Sequence, residues 1–126
     1  MENLKLEKTK TTPKVDFDAK LNTLSITGEV YPEDAEKFFK PIFEWLNRYL
    51  AQLHHKCIVS FNLKYFNTAS SGRISQFLET LEKAYKKGKD INIHWYYEPE
   101  NDVLEEVAEE FREIVTIPFQ IIEKKL

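Results

Sequence analysis

Residues 57–72 read Cys57-Ile58-Val59-Ser60-Phe61-Asn62-Leu63-Lys64-Tyr65-Phe66-Asn67-Thr68-Ala69-Ser70-Ser71-Gly72. The first part alternates. Cys57, Val59, Phe61 and Leu63 fall on one face of a strand, and Ile58 adds apolar surface to the other. A strand that apolar belongs inside a sheet. Residues 67–72 break the alternation with an amide and three hydroxyls. Beyond them Ile74, Phe77, Leu78, Leu81 and Tyr85 return at i, i+3, i+4, i+7 and i+11, the spacing of one helix face. Gly88 after Lys86-Lys87 is a helix stop, with cations at the negative end of the dipole.

Downstream, Ile91, Ile93, Trp95 and Tyr97 alternate as a further strand, closed by Pro99. A helix joins this strand to the first, so the two are expected parallel with a right-handed crossover. Val103, Leu104, Val107, Ala108 and Phe111 set out another helical face. Pro118 then precedes a short apolar run at 119–122, an edge strand. Upstream, Val15 and Phe17 alternate with charged residues, and Leu24 and Ile26 with Ser25 and Thr27. The short connector 19–22 makes this pair an antiparallel hairpin that ends at Gly28. Tyr31-Pro32-Glu33-Asp34 opens a helix over 33 to about 53, carried by Phe38, Phe39, Ile42, Phe43, Leu46, Tyr49, Leu50 and Leu53. Pro41 falls inside it and either kinks it or marks a false start. The expected fold is α/β, a single mixed sheet with three helices in the order β-β-α-β-α-β-α-β. One domain over 1–126 is expected, with the Lys- and Thr-rich residues 1–11 frayed.

Composition narrows the function classes. The 126 residues include 17 aromatics, enough for a packed core. The net charge of −3 lacks the basic footprint of a dedicated nucleic-acid binder. Three glycines cannot build a dinucleotide or triphosphate cradle. The lone Cys57 permits neither an internal disulfide nor a cysteine zinc site. No apolar run spans a bilayer and no signal peptide is visible, which points to the cytoplasm.

The chemistry is concentrated at 67–72. Asn, Ser and Thr cap helices, because their oxygens accept from free first-turn amides. A helix start also favours an added anion, which makes Thr68, Ser70 and Ser71 candidate phosphorylation sites. Lys64 and Arg73, four and five residues from Thr68, are candidate partners for a phosphate. Residues 98–113 hold eight acids and one Arg, leaving the remainder of the chain at +4. That segment is a solvated helix face or a docking surface for a basic patch. His54-His55 fits a helix C-terminal cap, and His94 faces away from Trp95 on its strand. Glu29 and Glu33 flank the turn before the first helix and are a weak acid–base pair. The residues thus leave three functions open: a phosphorylated switch, an unmodified interaction scaffold, and a small-molecule module using Glu29 and His94. No cofactor or metal is indicated.

Six segments, in this order and spacing, carry a resemblance. They are Thr12-Pro13, Gly28-Glu29-Val30-Tyr31-Pro32-Glu33-Asp34-Ala35, Tyr65-Phe66-Asn67-Thr68, Trp95-Tyr96-Tyr97, Glu109-Glu110-Phe111 and Pro118-Phe119. Together they resemble the SiaC family of bacterial regulatory phosphoproteins. The resemblance implies a SpoIIAA-like or STAS-like α/β layer and a non-enzymatic, partner-switching role. It implies phosphorylation of Thr68 by a cognate serine/threonine kinase and removal by a metal-dependent serine/threonine phosphatase. The unphosphorylated form would engage a downstream diguanylate cyclase, linking the protein to cyclic di-GMP and biofilm regulation. The implied contact residues are Lys64, Asn67, Thr68, Ser70, Ser71 and Arg73, with Glu29 and Tyr31 at the preceding turn. Ala69 stands where the family commonly carries a hydroxyl, Val30 where it has a small polar residue, and Asp34 where it often has Asn.

Overall fold

A computed structural model of the protein describes residues 1–100 and 102–124. Its elements in chain order are β1 (Leu4–Leu6), β2 (Lys14–Asp18), β3 (Thr23–Val30), α1 (Ala35–Gln52), β4 (Cys57–Phe66), α2 (Thr68–Lys86), β5 (Ile91–Tyr97), α3 (Asp102–Arg112) and β6 (Phe119–Glu123). The strands form one six-stranded sheet ordered β1-β2-β3-β4-β5-β6. The first two pairings are antiparallel and the last three parallel, so the sheet is mixed. Each parallel step is bridged by a helix and moves one strand in the same direction. Right-handed crossovers therefore lay all three helices on one face. The pleat agrees: Phe17, Leu24, Phe61 and Trp95 are buried, while Asp16, Ser25, Ser60 and His94 on the other face are not.

Under the helices the core is aromatic. Trp95 stacks on Phe61 at 4.6 Å, on Phe111 at 5.0 Å and on Phe119 at 5.9 Å between ring centroids. Trp45 stacks on Tyr49 at 4.9 Å and tilts against Phe17 at 5.2 Å. Both tryptophans are thus core residues.

Several expectations change. Residues 1–11 are not simply frayed, because Leu4–Leu6 adds an edge strand ahead of the hairpin. Its anchors lie far along the chain: the Trp45 indole donates to the Glu2 carbonyl at 2.8 Å, and the Ala19 amide donates to Asn3 Oδ1 at 2.8 Å. The first helix starts at Ala35, capped by Asp34, whose carboxylate accepts from the Lys37 amide at 3.0 Å. The helix runs on through Pro41, which is exposed. His54 and His55 lie exposed beyond its end and do not cap it. The Leu53 amide closes the helix on the Leu50 carbonyl, and Lys89 Nζ donates to the Leu53 carbonyl just beyond at 2.8 Å. On α3, Val103 is exposed rather than core-facing, while Ala108 and Phe111 are buried.

Gly28 does not end its strand. The β3–β4 register runs Gly28↔Leu63 and then Glu29↔Tyr65, an irregularity that skips Lys64. Gly28 takes a φ of +123°, which side chains rarely adopt, and the chain continues in the strand to Val30.

Candidate functional site

The carboxyl ends of β3 and β4 and the start of α2 meet at one edge of the sheet. β4 delivers Phe66, whose ring packs on Phe111 at 5.7 Å and ties this edge to α3. The Asn67 amide donates to the Val30 carbonyl at 3.3 Å, fixing the turn to β3. The Asn67 side chain then accepts from the Ser70 amide at 3.0 Å, and its carbonyl accepts from the Ser71 amide at 2.9 Å. Asn67 is therefore the N-cap, and Thr68 is the first residue of a 19-residue helix. Its position leaves Thr68 exposed, beside first-turn amides that no helix carbonyl reaches.

The three candidate hydroxyls separate by helical phase. Thr68 is exposed and Ser71 half-buried, but Ser70 is fully buried. Ser70 shares the inward face with Ile74, Phe77, Leu78 and Leu81. Contrary to the sequence expectation, this burial makes Ser70 neither a reachable acceptor nor a surface contact. Its Oγ has no hydrogen-bond partner among the described residues.

The charged candidates separate too. Lys64 pairs with Glu98 at 3.4 Å, whereas Arg73 is in no ion pair among the described residues. Arg73 and Ala69 line an open groove of about 1160 Å³ shared with Leu6, Lys37, Phe38 and Pro41. Tyr31 is half-buried, its amide held by the Thr11 carbonyl at 2.7 Å, and its ring meets Tyr65 edge-on at 5.5 Å. Glu29 sits just past the register shift and Glu33 precedes the α1 cap; neither carboxylate is hydrogen-bonded or ion-paired among the described residues. Glu29 and His94 are not brought together. Their β4 register partners, Tyr65 and Ser60, are five residues apart, a span of roughly 16 Å along a strand. His94 instead faces Tyr96 on the open side of the sheet.

Sequence reasoning missed two residues of this edge. Tyr65 is 52% exposed, although strict alternation from Cys57 puts it on the buried face. The signal was the isolated glycine in the β3 pattern, which marks a bulge that rephases the neighbouring strand. Gly72 appears in the sequence only as the end of the pattern break at 67–72. It is exposed, inside the second turn of α2, and a Cβ built there meets nothing within 4 Å. A glycine in a helix interior costs about 0.5–1 kcal/mol relative to alanine.

Three buried groups elsewhere have closed, structural environments. The Tyr49 hydroxyl donates to Asn22 Oδ1 at 2.7 Å and lies against the Cys57 thiol, and burial raises its pKa. Burial also pushes the Cys57 thiol up to about 11, outweighing the lowering influence of the nearby Tyr49 hydroxyl. Glu82 accepts from the Thr116 amide at 2.8 Å and hydroxyl at 2.7 Å. Burial would raise its pKa, but those bonds, the Ile117 amide and nearby Lys86 outweigh it and hold the carboxyl below its ordinary value. No helix among the described residues is long and apolar enough to cross a membrane.

These residues define a mixed α/β sheet with a capped helix that presents an exposed threonine at its edge. A family model described as "SiaC family regulatory phosphoprotein" matches residues 6–124. The chain belongs to the SiaC family. It is 33% identical over 121 residues to an uncharacterised protein of Pseudomonas aeruginosa strain UCBPP-PA14, covering 96% of each. It superposes on apo-SiaC of Pseudomonas aeruginosa with a TM-score of 0.92 at 33% identity, over 97% of this chain and 99% of that one. It is likewise similar to the SiaC chain solved in complex with the diguanylate cyclase SiaD, which SiaC activates, with a TM-score of 0.92 at 32% identity over 96% and 99%.

Proposed function

We propose that this protein is a non-enzymatic partner switch in the cytoplasm, which binds and activates a diguanylate cyclase while Thr68 is unmodified. A cognate serine/threonine kinase phosphorylates Thr68, and a metal-dependent phosphatase restores it. The observation that carries this reading is the placement of Thr68: exposed, first in a capped helix, and on a turn tied by backbone bonds to β3. A phosphate there adds about −1.5 to −2 charges and three strong acceptors without disturbing the core beneath. The family membership and the cyclase complex of SiaC support the choice of partner.

The energetics are modest. A ten-fold change in partner affinity needs about 1.4 kcal/mol of differential binding. One dianion that must be desolvated, or that faces an acidic partner surface, supplies it. The test has two arms. Incubation with the kinase and ATP is expected to add one phosphate by intact mass, and Thr68→Ala to abolish the gain. Titration of the cyclase is expected to show wild type and Thr68→Ala binding alike and the phosphorylated protein binding at least about ten-fold more weakly. Phosphorylation that leaves affinity unchanged, or that lands elsewhere, sinks the proposal.

A further inference from the structure

The last turns of α1 and α2 enclose a cleft of about 370 Å³, at the other end of α2 from Thr68. Lys83, on its wall, lies roughly 22 Å beyond Thr68 along the helix. The volume is that of a small-ligand pocket. Lys83, Lys87 and Lys89 line it, and no carboxylate does. A chain with a net charge of −3 has thus gathered three cations around one concavity and kept its acids out. The rest of the wall is apolar, Leu50 and Ala51 from α1 and Ala84 from α2, with the Asn47 amide beside them.

The fold does not account for this gathering. The carbonyls that end α2 are met by backbone amides: Lys87 donates to Lys83 and Ala84, Gly88 to Tyr85, and Lys89 to Ala84. Lysine ammoniums are not needed as caps there. The helix dipole favours cations in the last turn, but it does not make them converge on one cleft. Lys86 shows the ordinary use of such a residue, pairing with Glu82 at 3.8 Å. Lys83 and Lys87 are exposed, in no ion pair among the described residues, and four residues apart, where like charges repel. Lys89 does have a structural bond, from Nζ to the Leu53 carbonyl at 2.8 Å. An ammonium has three donors, so that bond leaves two and holds the charge at the end of α1.

We infer that this cleft is a nucleotide site, with phosphates held by Lys83, Lys87 and Lys89 and the base or sugar against Leu50, Ala51 and Ala84. Lysines bind phosphate as point charges, so the site needs none of the glycine-rich backbone that this sequence lacks. The apolar wall favours a nucleotide over a bare phosphate, because only a nucleotide has a surface to lay on it. The enclosed volume favours a small molecule over a polymer or a lipid surface, which would ask for an open basic face. This site is separate from the switch reading and stands or falls without it.

The test titrates the full chain, by backbone amide shifts at about 150 mM salt, with ADP and with pyrophosphate as the probe lacking a nucleoside. ADP is expected to move the resonances of Asn47, Ala51, Lys83 and Lys87 and to bind at least about five-fold more tightly than pyrophosphate. Lys83→Gln with Lys87→Gln is expected to weaken ADP at least about ten-fold. Ala51→Gln, which narrows the apolar wall, is expected to weaken ADP and spare pyrophosphate. Lys86→Gln, the same charge change on the paired lysine, is expected to alter neither. Melting each variant alone checks that it folds. No ADP binding at millimolar concentration overturns the inference, as do equal binding of the two probes, shifts away from the cleft, or Lys86→Gln acting like the other two. Tighter binding to polyuridylate or to phosphatidylglycerol vesicles than to ADP also overturns it, since the lysines then serve an extended anionic surface.

Discussion

Asn67 is the residue at which the sheet hands over to the helix. It offers three groups, and all three are used: its amide to β3, its side chain to Ser70, and its carbonyl to Ser71. Thr68 is exposed because Asn67 takes the capping duty that a threonine can also perform. Asn67→Ala is therefore expected to cost about 1 kcal/mol, measured by urea unfolding, and to broaden the Thr68 backbone resonance through fraying. Glu82 is a second residue with a measurable signature. Its folded pKa lies below the ordinary value of 4.5, so it adds stability that is fully present above that pH. The contribution fades as pH falls through the lower folded pKa. Glu82→Gln is expected to lower stability at pH 7 and to flatten the acid limb of the stability curve below about pH 4.5. An unchanged acid limb in urea titrations at several pH values rules this out.

At the scale of elements, strands and helices with long regular patterns were legible and short or irregular ones were not. α2 announced itself through Ile74, Phe77, Leu78 and Leu81, and β5 through Ile91, Ile93 and Trp95, because each buries a whole face. β1 was invisible for a physical reason. Three residues hold too little pattern, and the groups that fix it, Trp45 and Asn3, act through contacts no local window contains. The site was legible at Asn67 and Thr68, whose residue types carry the capping chemistry. Ser70 was not separable from them until the helix phase was known. Tyr65 needed the β3 irregularity. Pro41 is a local conflict that α1 tolerates: it removes an amide from an 18-residue helix on its exposed side. Pro41→Ala is expected to raise stability by about 1 kcal/mol or more in chemical denaturation, since it restores one backbone hydrogen bond. Unchanged or lower stability shows that the kept proline fits its turn without strain.

For the whole molecule, Cys57 is a built-in reporter. It lies on an inner strand with 0% exposure, and its thiol is pushed up to about 11. Alkylation of the folded protein at neutral pH is expected to follow global opening rather than local breathing. Its rate should then rise with denaturant as steeply as unfolding does. Rapid labelling in native buffer contradicts the sealed core. The layout of the sheet has a further consequence. Spatial order and chain order coincide, β1 through β6. Every strand finds its neighbour already made when it leaves the ribosome, and no late segment has to be inserted between two earlier ones. Synthesis can lay the sheet down strand by strand, with the hairpin as template and α1, α2 and α3 closing over each addition. The turn that bears Thr68 is complete on four strands, before the last third of the chain has been translated.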